Sequence, residues 1–142
     1  MLKGISPLLS GELLKILCEM GHGDELVVGD GNFPAASHAK RLVALPGVGA
    51  VPLLDAILQL FPLDTFVQAP VCMMRVAEGD SYVPWIQQEF RRRIGGVGVQ
   101  LLTREEFYER TARAYCVIAT GERARYANLI LKKGILEAPD ED

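Results

Sequence analysis

The chain has 142 residues, 49% of them hydrophobic, with 15 basic and 18 acidic side chains and a formal net charge of −3. That length and apolar fraction suffice for one domain with its own core and no disulfide or metal staple, and the mild acidity argues against nucleic acid as a partner. No apolar run approaches the roughly 18 residues of a membrane span, and Met1-Leu2-Lys3-Gly4-Ile5-Ser6-Pro7 lacks the apolar stretch of a secretory leader.

In chain order, Ser6-Pro7 and Ser10 offer successive caps for a first helix, with Pro7 suited to an opening position. Leu13, Leu14, Leu17 and Met20 follow at helical spacing, and Gly21 reads as a left-handed stop. Glu25 to Val28 predicts a buried strand. Gly29 to Asn32 is a loop, and Ala35 to Leu42 predicts a second helix, ended by Pro46-Gly47. Pro52 opens a third helix running to Leu60. Thr65 to Val71 predicts a strand, with a continuation to Val76. Trp85 to Ile94 predicts a helix with Ile86, Phe90 and Ile94 along one face, broken by Gly95-Gly96. Val97 to Leu102 is a short strand. Thr103 to Glu106 matches a capping box, with a helix following through Ala114. Tyr115 to Thr120 predicts a strand, Gly121 to Arg125 a turn, and Leu129 to Leu131 a last strand. Helices alternating with short apolar strands predict an α/β fold: one domain over 1–142, a three-layer sandwich with helices around a central, largely buried sheet. Residues 139–142 read as an acidic, solvated tail.

Cys18, Cys72 and Cys116 form no CxxC pair and read as buried small hydrophobes in a reducing cytoplasm. Two histidines 16 apart, His22 and His38, do not make a metal site, and no HExxH, phosphate-loop or GxSxG motif is present. His38, inside the second predicted helix, reads as a surface residue. Arg91-Arg92-Arg93 reads as a solvated helix face.

Four constellations carry chemistry, each beside a plainer reading. His22, between Gly21 and Gly23, sits at a helix-to-strand junction and is either a turn residue or a general acid or base, with Asp24 and Asp30 the nearest carboxylates in sequence. Asp30-Gly31-Asn32-Phe33-Pro34 is either a connection rich in turn formers or a sugar-binding loop at a strand's carboxyl end. Arg104 at the start of a helix is unfavourable to the macrodipole, which fits either a solvated arginine or a functional one. Tyr126 and Asn128, two apart in extended chain, would share a side and offer a ring, a hydroxyl and an amide, or be a plain strand-edge pair.

Together these residues resemble the L-fucose mutarotase / D-ribose pyranase family. The resemblance runs through Leu2-Lys3-Gly4-Ile5-Ser6-Pro7, Glu19-Met20-Gly21-His22-Gly23-Asp24-Glu25, Asn32-Phe33-Pro34-Ala35, Pro62-Leu63-Asp64, Phe107-Tyr108-Glu109-Arg110, Thr120-Gly121-Glu122-Arg123 and Tyr126 to Gly134. Phe-Tyr-Glu-Arg followed by Thr-Gly-Glu is closer to the fucose branch. Gly31 stands where relatives carry a side chain, and Glu78 to Gln100 carries nothing over.

The resemblance implies an isomerase that interconverts the α and β anomers of L-fucose by ring opening and reclosure. His22 is implied as proton donor; Asp30, Arg104, Tyr126, Ala127 and Asn128 as sugar-binding positions; and Asp64, Met74 and Tyr108 as further pocket positions. The partner base stays open between Asp30, Tyr126 and a bound water. The resemblance also implies no cofactor or metal, a cytoplasmic location, no nucleic-acid or membrane partner, and a ring-shaped homo-oligomer, a decamer, with sites near subunit contacts. D-ribose and galactose are further candidate substrates. The alternatives are a D-ribose pyranase (pyranose–furanose interconversion) and a non-catalytic monosaccharide-binding protein.

Overall fold

The computed structural model describes residues 1–139, so Asp140, Glu141 and Asp142 of the expected acidic tail lie outside the described residues. Six strands, β1 (Glu25–Gly29), β2 (Leu42–Leu45), β3 (Val71–Met74), β4 (Val99–Leu102), β5 (Cys116–Thr120) and β6 (Leu129–Lys132), form one sheet in the order β2-β5-β1-β6-β3-β4. Five helices cover it: α1 (Gly11–Glu19), α2 (Ala35–His38), α3 (Ala50–Leu58), α4 (Trp85–Ile94) and α5 (Arg104–Arg113).

Strand side chains alternate between faces, and this places the helices. Leu26, Val28, Cys116, Ile118, Leu129, Leu131, Val71 and Met73 share one core with the apolar stripes of α1, α3 and α4. Val27, Val117, Ile130, Cys72 and Met74 form the opposite core with Ala35 of α2 and Phe107 of α5. The register puts the second set in one row across the sheet, Val117 opposite Val27, Val27 opposite Ile130, and Ile130 opposite Cys72. The three-layer α/β sandwich expected from the sequence is therefore the one observed.

Helix ends follow their local chemistry. The Ser10 side chain accepts from the Leu13 amide at 3.2 Å and starts α1; Pro7 lies outside that helix. At α5 the capping box is complete: Thr103 accepts from the Glu106 amide at 3.2 Å while Glu106 accepts from the Thr103 amide at 3.0 Å. Gly95, at φ 70°, ends α4. Gly21 is not a left-handed stop; α1 closes at Met20 in extended backbone, and Gly23, at φ 88°, makes the turn instead.

Three further expectations are corrected. The second helix is a single turn, because Leu42–Leu45 leaves it to pair in parallel with β5, burying Val43. Pairing along the β5 edge outweighs the helical pattern read over Ala35 to Leu42. Residues Thr65 to Pro70 are not a strand: the Asp64 carboxylate accepts from the Phe66 amide at 3.0 Å and turns the chain, and pairing begins at Val71. Cys18 is exposed on α1, while Cys72 and Cys116 are buried as expected.

Phe107 is fully buried beneath α5 and meets the Phe33 ring edge-on at 5.6 Å. Phe107→Ala is expected to cost about 3–5 kcal/mol, read as a lower urea midpoint; an unchanged midpoint would place the weight of that core elsewhere.

Candidate functional site

Strand β6 is antiparallel to both neighbours, β1 and β3. Its beginning therefore meets the carboxyl ends of β1 and β3, and its end meets their amino ends. Chemistry-bearing residues gather at both places.

At the carboxyl ends lies a cleft of about 180 Å³. Asp30 follows β1, Met74 ends β3, Asn128 precedes β6, and Tyr108 reaches in from α5. Asn128 is buried, and its carboxamide oxygen accepts from the Asp30 amide at 2.8 Å, locking the two loops together. Asp30 itself is 7% exposed. Burial pushes its carboxyl above the ordinary 3.8, opposed by hydrogen bonds from the backbone of Asn32, Ala127 and Phe33 and from the Asn128 side chain. Gly29 makes room for this loop: a Cβ there would lie 2.6 Å from the Phe33 ring. Phe33 packs edge-on to Tyr108 at 5.6 Å, and the His38 ring lies 5.1 Å from Tyr108. His38 is thus half-buried support behind Tyr108 rather than a free surface residue.

Tyr126 is the only non-glycine with positive φ among the described residues, at 61°. It is not in extended chain, so the shared side inferred for Tyr126 and Asn128 has another cause: a left-handed residue, costing on the order of 1–3 kcal/mol and held by its surroundings. Its carbonyl accepts from Gln87 at 3.2 Å, and the same amide nitrogen of Gln87 donates to the Met74 carbonyl at 2.9 Å. The Tyr126 hydroxyl donates to Asp80 at 2.7 Å and accepts from the Ala77 amide at 3.2 Å. Tyr82 stacks on Tyr126 with ring centroids 6.1 Å apart. Arg125, which lines the cleft, pairs with the same Asp80 oxygen. Hydrogen bonds from the Tyr82 amide, then from Tyr126, with the Arg125 charge adding to them, hold the Asp80 carboxyl below its ordinary value.

At the amino ends stands the second group. His22 lies in the α1–β1 turn, 44% exposed, with Nε2 3.0 Å from Oδ1 of Asp64, whose side chain is 4% exposed. Neither Asp24 nor Asp30 orients the ring. Asp24 accepts from the Gly21 amide at 2.7 Å and shapes the turn. Asp30 lies beyond the five residues of β1, on the order of 16 Å away at about 3.3 Å per residue. The Phe66 amide foremost, then His22, holds the Asp64 carboxyl below its ordinary value against the cost of burial. The exposed Phe66 ring sits 5.2 Å from His22.

One chain therefore gathers Asp30, Met74, Tyr108, Tyr126 and Asn128 in the cleft, with Ala127 buried beside them. It holds His22 and Asp64 apart from them. Arg104 is the first residue of α5, 66% exposed beside Glu105. It lines a wider, adjoining hollow of about 410 Å³ that shares Met74 and Tyr126 with the cleft. The candidate loop brought Asn32 and Phe33 with it, and both line the cleft, but sequence reasoning missed Arg125 there and Asp80, Tyr82 and Gln87 behind it. One signal was available for Gln87: it lies three residues before Phe90 and seven before Ile94, a polar side chain on a buried stripe, which needs partners. Among the described residues no group of three or more His, Cys, Asp or Glu could hold a metal ion.

This chain belongs to the RbsD / FucU transport protein family, whose model matches residues 3–136. It is 44% identical over 140 residues to an L-fucose mutarotase of Actinobacillus pleuropneumoniae, an alignment covering 95% of this chain and 97% of that protein. It superimposes on the crystal structure of the fucose mutarotase in complex with L-fucose from Streptococcus pneumoniae with a TM-score of 0.91 and 47% identity, over 96% of this chain and 100% of that one. The structure of Bacillus subtilis RbsD complexed with D-ribose is more distant, with a TM-score of 0.76 and 26% identity over 96% of this chain and 100% of that one.

The raised carboxyl of Asp30 has a signed consequence for stability. Between the ordinary 3.8 and its folded value, the folded chain holds a proton that the unfolded chain has released, so stability falls as pH rises through that window. Asp30→Asn keeps the acceptor for the Asn32 amide and removes the titration. Urea unfolding from pH 3 to 7 should show wild type losing ground to the variant above pH 3.8 and then running parallel. A gap that moves the other way would mean the carboxylate is stabilised in the fold.

Proposed function

We propose that this member of the RbsD / FucU transport protein family is an L-fucose mutarotase, an isomerase that exchanges the α and β anomers. The observation that carries the reading is the cleft itself. It brings a buried carboxyl with a raised pKa, a locked carboxamide, two tyrosine rings and an arginine to one place, and the relatives that resemble the chain over nearly its whole length are named for fucose mutarotation. The ribose-bound relative stands further off in both fold and identity.

The reaction needs one proton removed and one delivered. The anomeric hydroxyl loses its proton, the ring oxygen gains one, and the bond between C1 and the ring oxygen breaks. The aldehyde rotates about its bond to C2, and the same steps in reverse close the ring on the other face. Little charge develops, so positioned acid–base groups, worth roughly 10²–10⁴ in rate, and a held geometry account for the catalysis. Asp30 takes the anomeric proton, since its raised carboxyl is closer to the range of a working base. Tyr126 does not serve, because its hydroxyl already donates to Asp80 and accepts from Ala77; it offers its ring face instead. Asn128, Arg125 and Arg104 hold sugar hydroxyls, Met74 and Tyr108 wall the apolar side, and Ala127 brings its backbone beside Asp30.

His22 delivers the proton to the ring oxygen. Asp64, expected among sugar-binding positions, acts first by holding Nε2, so that Nδ1 is the nitrogen left to exchange a proton with the sugar. The half-site at the amino ends and the cleft at the carboxyl ends lie too far apart in one chain to share a sugar. The reading is therefore that His22 of one subunit closes the cleft of the next, in a closed homo-oligomeric ring, with the decamer as the expected form. The exposed Phe66 beside His22 and the exposed Val83 and Trp85, which follow Tyr82 in the chain, are apolar surface of the kind that subunit contacts cover. Among the described residues no helix is long and apolar enough to cross a membrane, and a cytoplasmic site of action remains part of the proposal.

Saturation-transfer proton NMR on L-fucose tests the activity. The wild-type chain should accelerate α/β exchange, and His22→Ala should lose that acceleration while still binding the sugar. Exchange confined to furanose signals of D-ribose would favour the pyranase reading, and saturable fucose binding with no acceleration in wild type would favour a binding protein.

A further inference from the structure

Helix α1 ends without the usual devices. Its last turn carries Glu19 and no basic residue, and its cap, Met20, is extended rather than left-handed. Orphan carbonyls at a helix end need donors, and the macrodipole there favours a cation. Both come from the far end of the sequence. Lys133, immediately after β6, donates its ammonium to the Leu17 carbonyl at 2.8 Å and to the Met20 carbonyl at 2.5 Å.

The backbone of the same residue ties down the turn that follows. The Gly23 amide donates to the Lys133 carbonyl at 2.8 Å, and the Lys133 amide donates to the Asp24 carbonyl at 2.9 Å. These two bonds bracket His22 from its carboxyl side, while the ammonium fixes Met20 two residues before it. The other arm is held from the same place. Leu63 forms an isolated antiparallel bridge with Lys133, the Asp64 amide donates to the Lys132 carbonyl at 3.0 Å, and the Gly134 amide donates to the Pro62 carbonyl at 2.7 Å. Gly134 allows this approach: a Cβ would lie 2.7 Å from the Leu63 carbonyl oxygen and 2.9 Å from the Asp64 Cα.

His22 and Asp64 are 42 residues apart in sequence, and the arms that carry them are both hydrogen-bonded to Lys132–Gly134. We infer that Lys133 is a positioning residue for the reaction: main-chain bonds of Lys132–Gly134 join the His22 turn to the Asp64 arm, and the Lys133 ammonium seats the end of α1 on that clamp, which sets the 3.0 Å contact between His22 Nε2 and Asp64 Oδ1. The inference rests on the reading of His22 as the proton donor. It assigns the Lys-Lys-Gly run a part in catalysis that involves no contact with the sugar.

The test uses the full-length protein, L-fucose exchange by NMR, and selective ¹⁵N labelling of histidine. Lys133→Met should lower kcat roughly tenfold to a hundredfold, the cost of a misplaced catalytic group, with the Kd for L-fucose unchanged. Its His22 Nε2 resonance should move to the position found in Asp64→Asn. Lys133→Arg, which keeps a cation for the α1 carbonyls, should retain most of the exchange. Combining Lys133→Met with Asp64→Asn should add less than about twofold to the loss from Asp64→Asn alone. A Lys133→Met protein with wild-type kcat, an unmoved His22 resonance, or a full additional loss in the double variant would overturn the inference. If His22→Ala loses exchange while Lys133→Met keeps it, the clamp alone fails. If His22→Ala keeps exchange, the reading beneath the clamp fails with it.

Discussion

The whole arrangement depends on one antiparallel insertion. Strand β6 enters the sheet between β1 and β3 against the direction of both. Because of that reversal, the residues before it, Tyr126 to Asn128, emerge beside the carboxyl ends of β1 and β3, and the residues after it, Lys133 and Gly134, emerge beside their amino ends. A parallel strand in the same slot would put its start at the other edge, and Asn128 could not accept from the Asp30 amide. Four residues of strand thus have the cleft at one end and the His22–Asp64 pair at the other. Three of the four are committed to the core between, since Leu129, Ile130 and Leu131 are all completely buried.

The three buried or partly buried carboxylates, Asp30, Asp64 and Asp80, differ in their electrostatics in a way that suits different work. Asp30 is buried with its carboxyl raised above the ordinary range, whereas Asp64 and Asp80 are held below it by amide and side-chain donors. A raised carboxyl is available to exchange a proton; a lowered one is a fixed negative charge that orients a partner. In the proposed mechanism Asp30 takes the first role, Asp64 orients His22, and Asp80 orients Tyr126 and Arg125. The left-handed backbone of Tyr126 is the local cost of presenting its ring, and Gln87 and Asp80 are the groups that offset it.

How much of this was legible in the sequence follows from the range of each interaction. Local chemistry was readable: the capping box at Thr103, the Ser10 cap, the α4 stripe ended by Gly95, and the apolar runs of β1 and β5. What depended on partners was not. Leu42–Leu45 became a strand because β5 had an open edge, and the strand after Asp64 moved to Val71 because the carboxylate captured the Phe66 amide. Among site residues, Asp30, Met74, Tyr108, Tyr126 and Asn128 do meet in the cleft, but His22 was matched with acids close in sequence, while its partner is 42 residues on. Asp80 and Tyr82 escaped notice for the same reason: only the folded chain brings them against Tyr126.

The central claim is that the cleft and the His22 half-site work as one centre supplied by two subunits. Co-assembly tests it most directly. His22→Ala and Asp30→Asn subunits, each inactive alone in L-fucose anomer exchange, are dissociated, mixed and reassembled, and exchange is followed by NMR. The account predicts that the mixed assembly regains a substantial fraction of wild-type exchange, because some clefts then combine an intact Asp30 with an intact His22 from a neighbour. Mixed assemblies as inactive as either parent would contradict it.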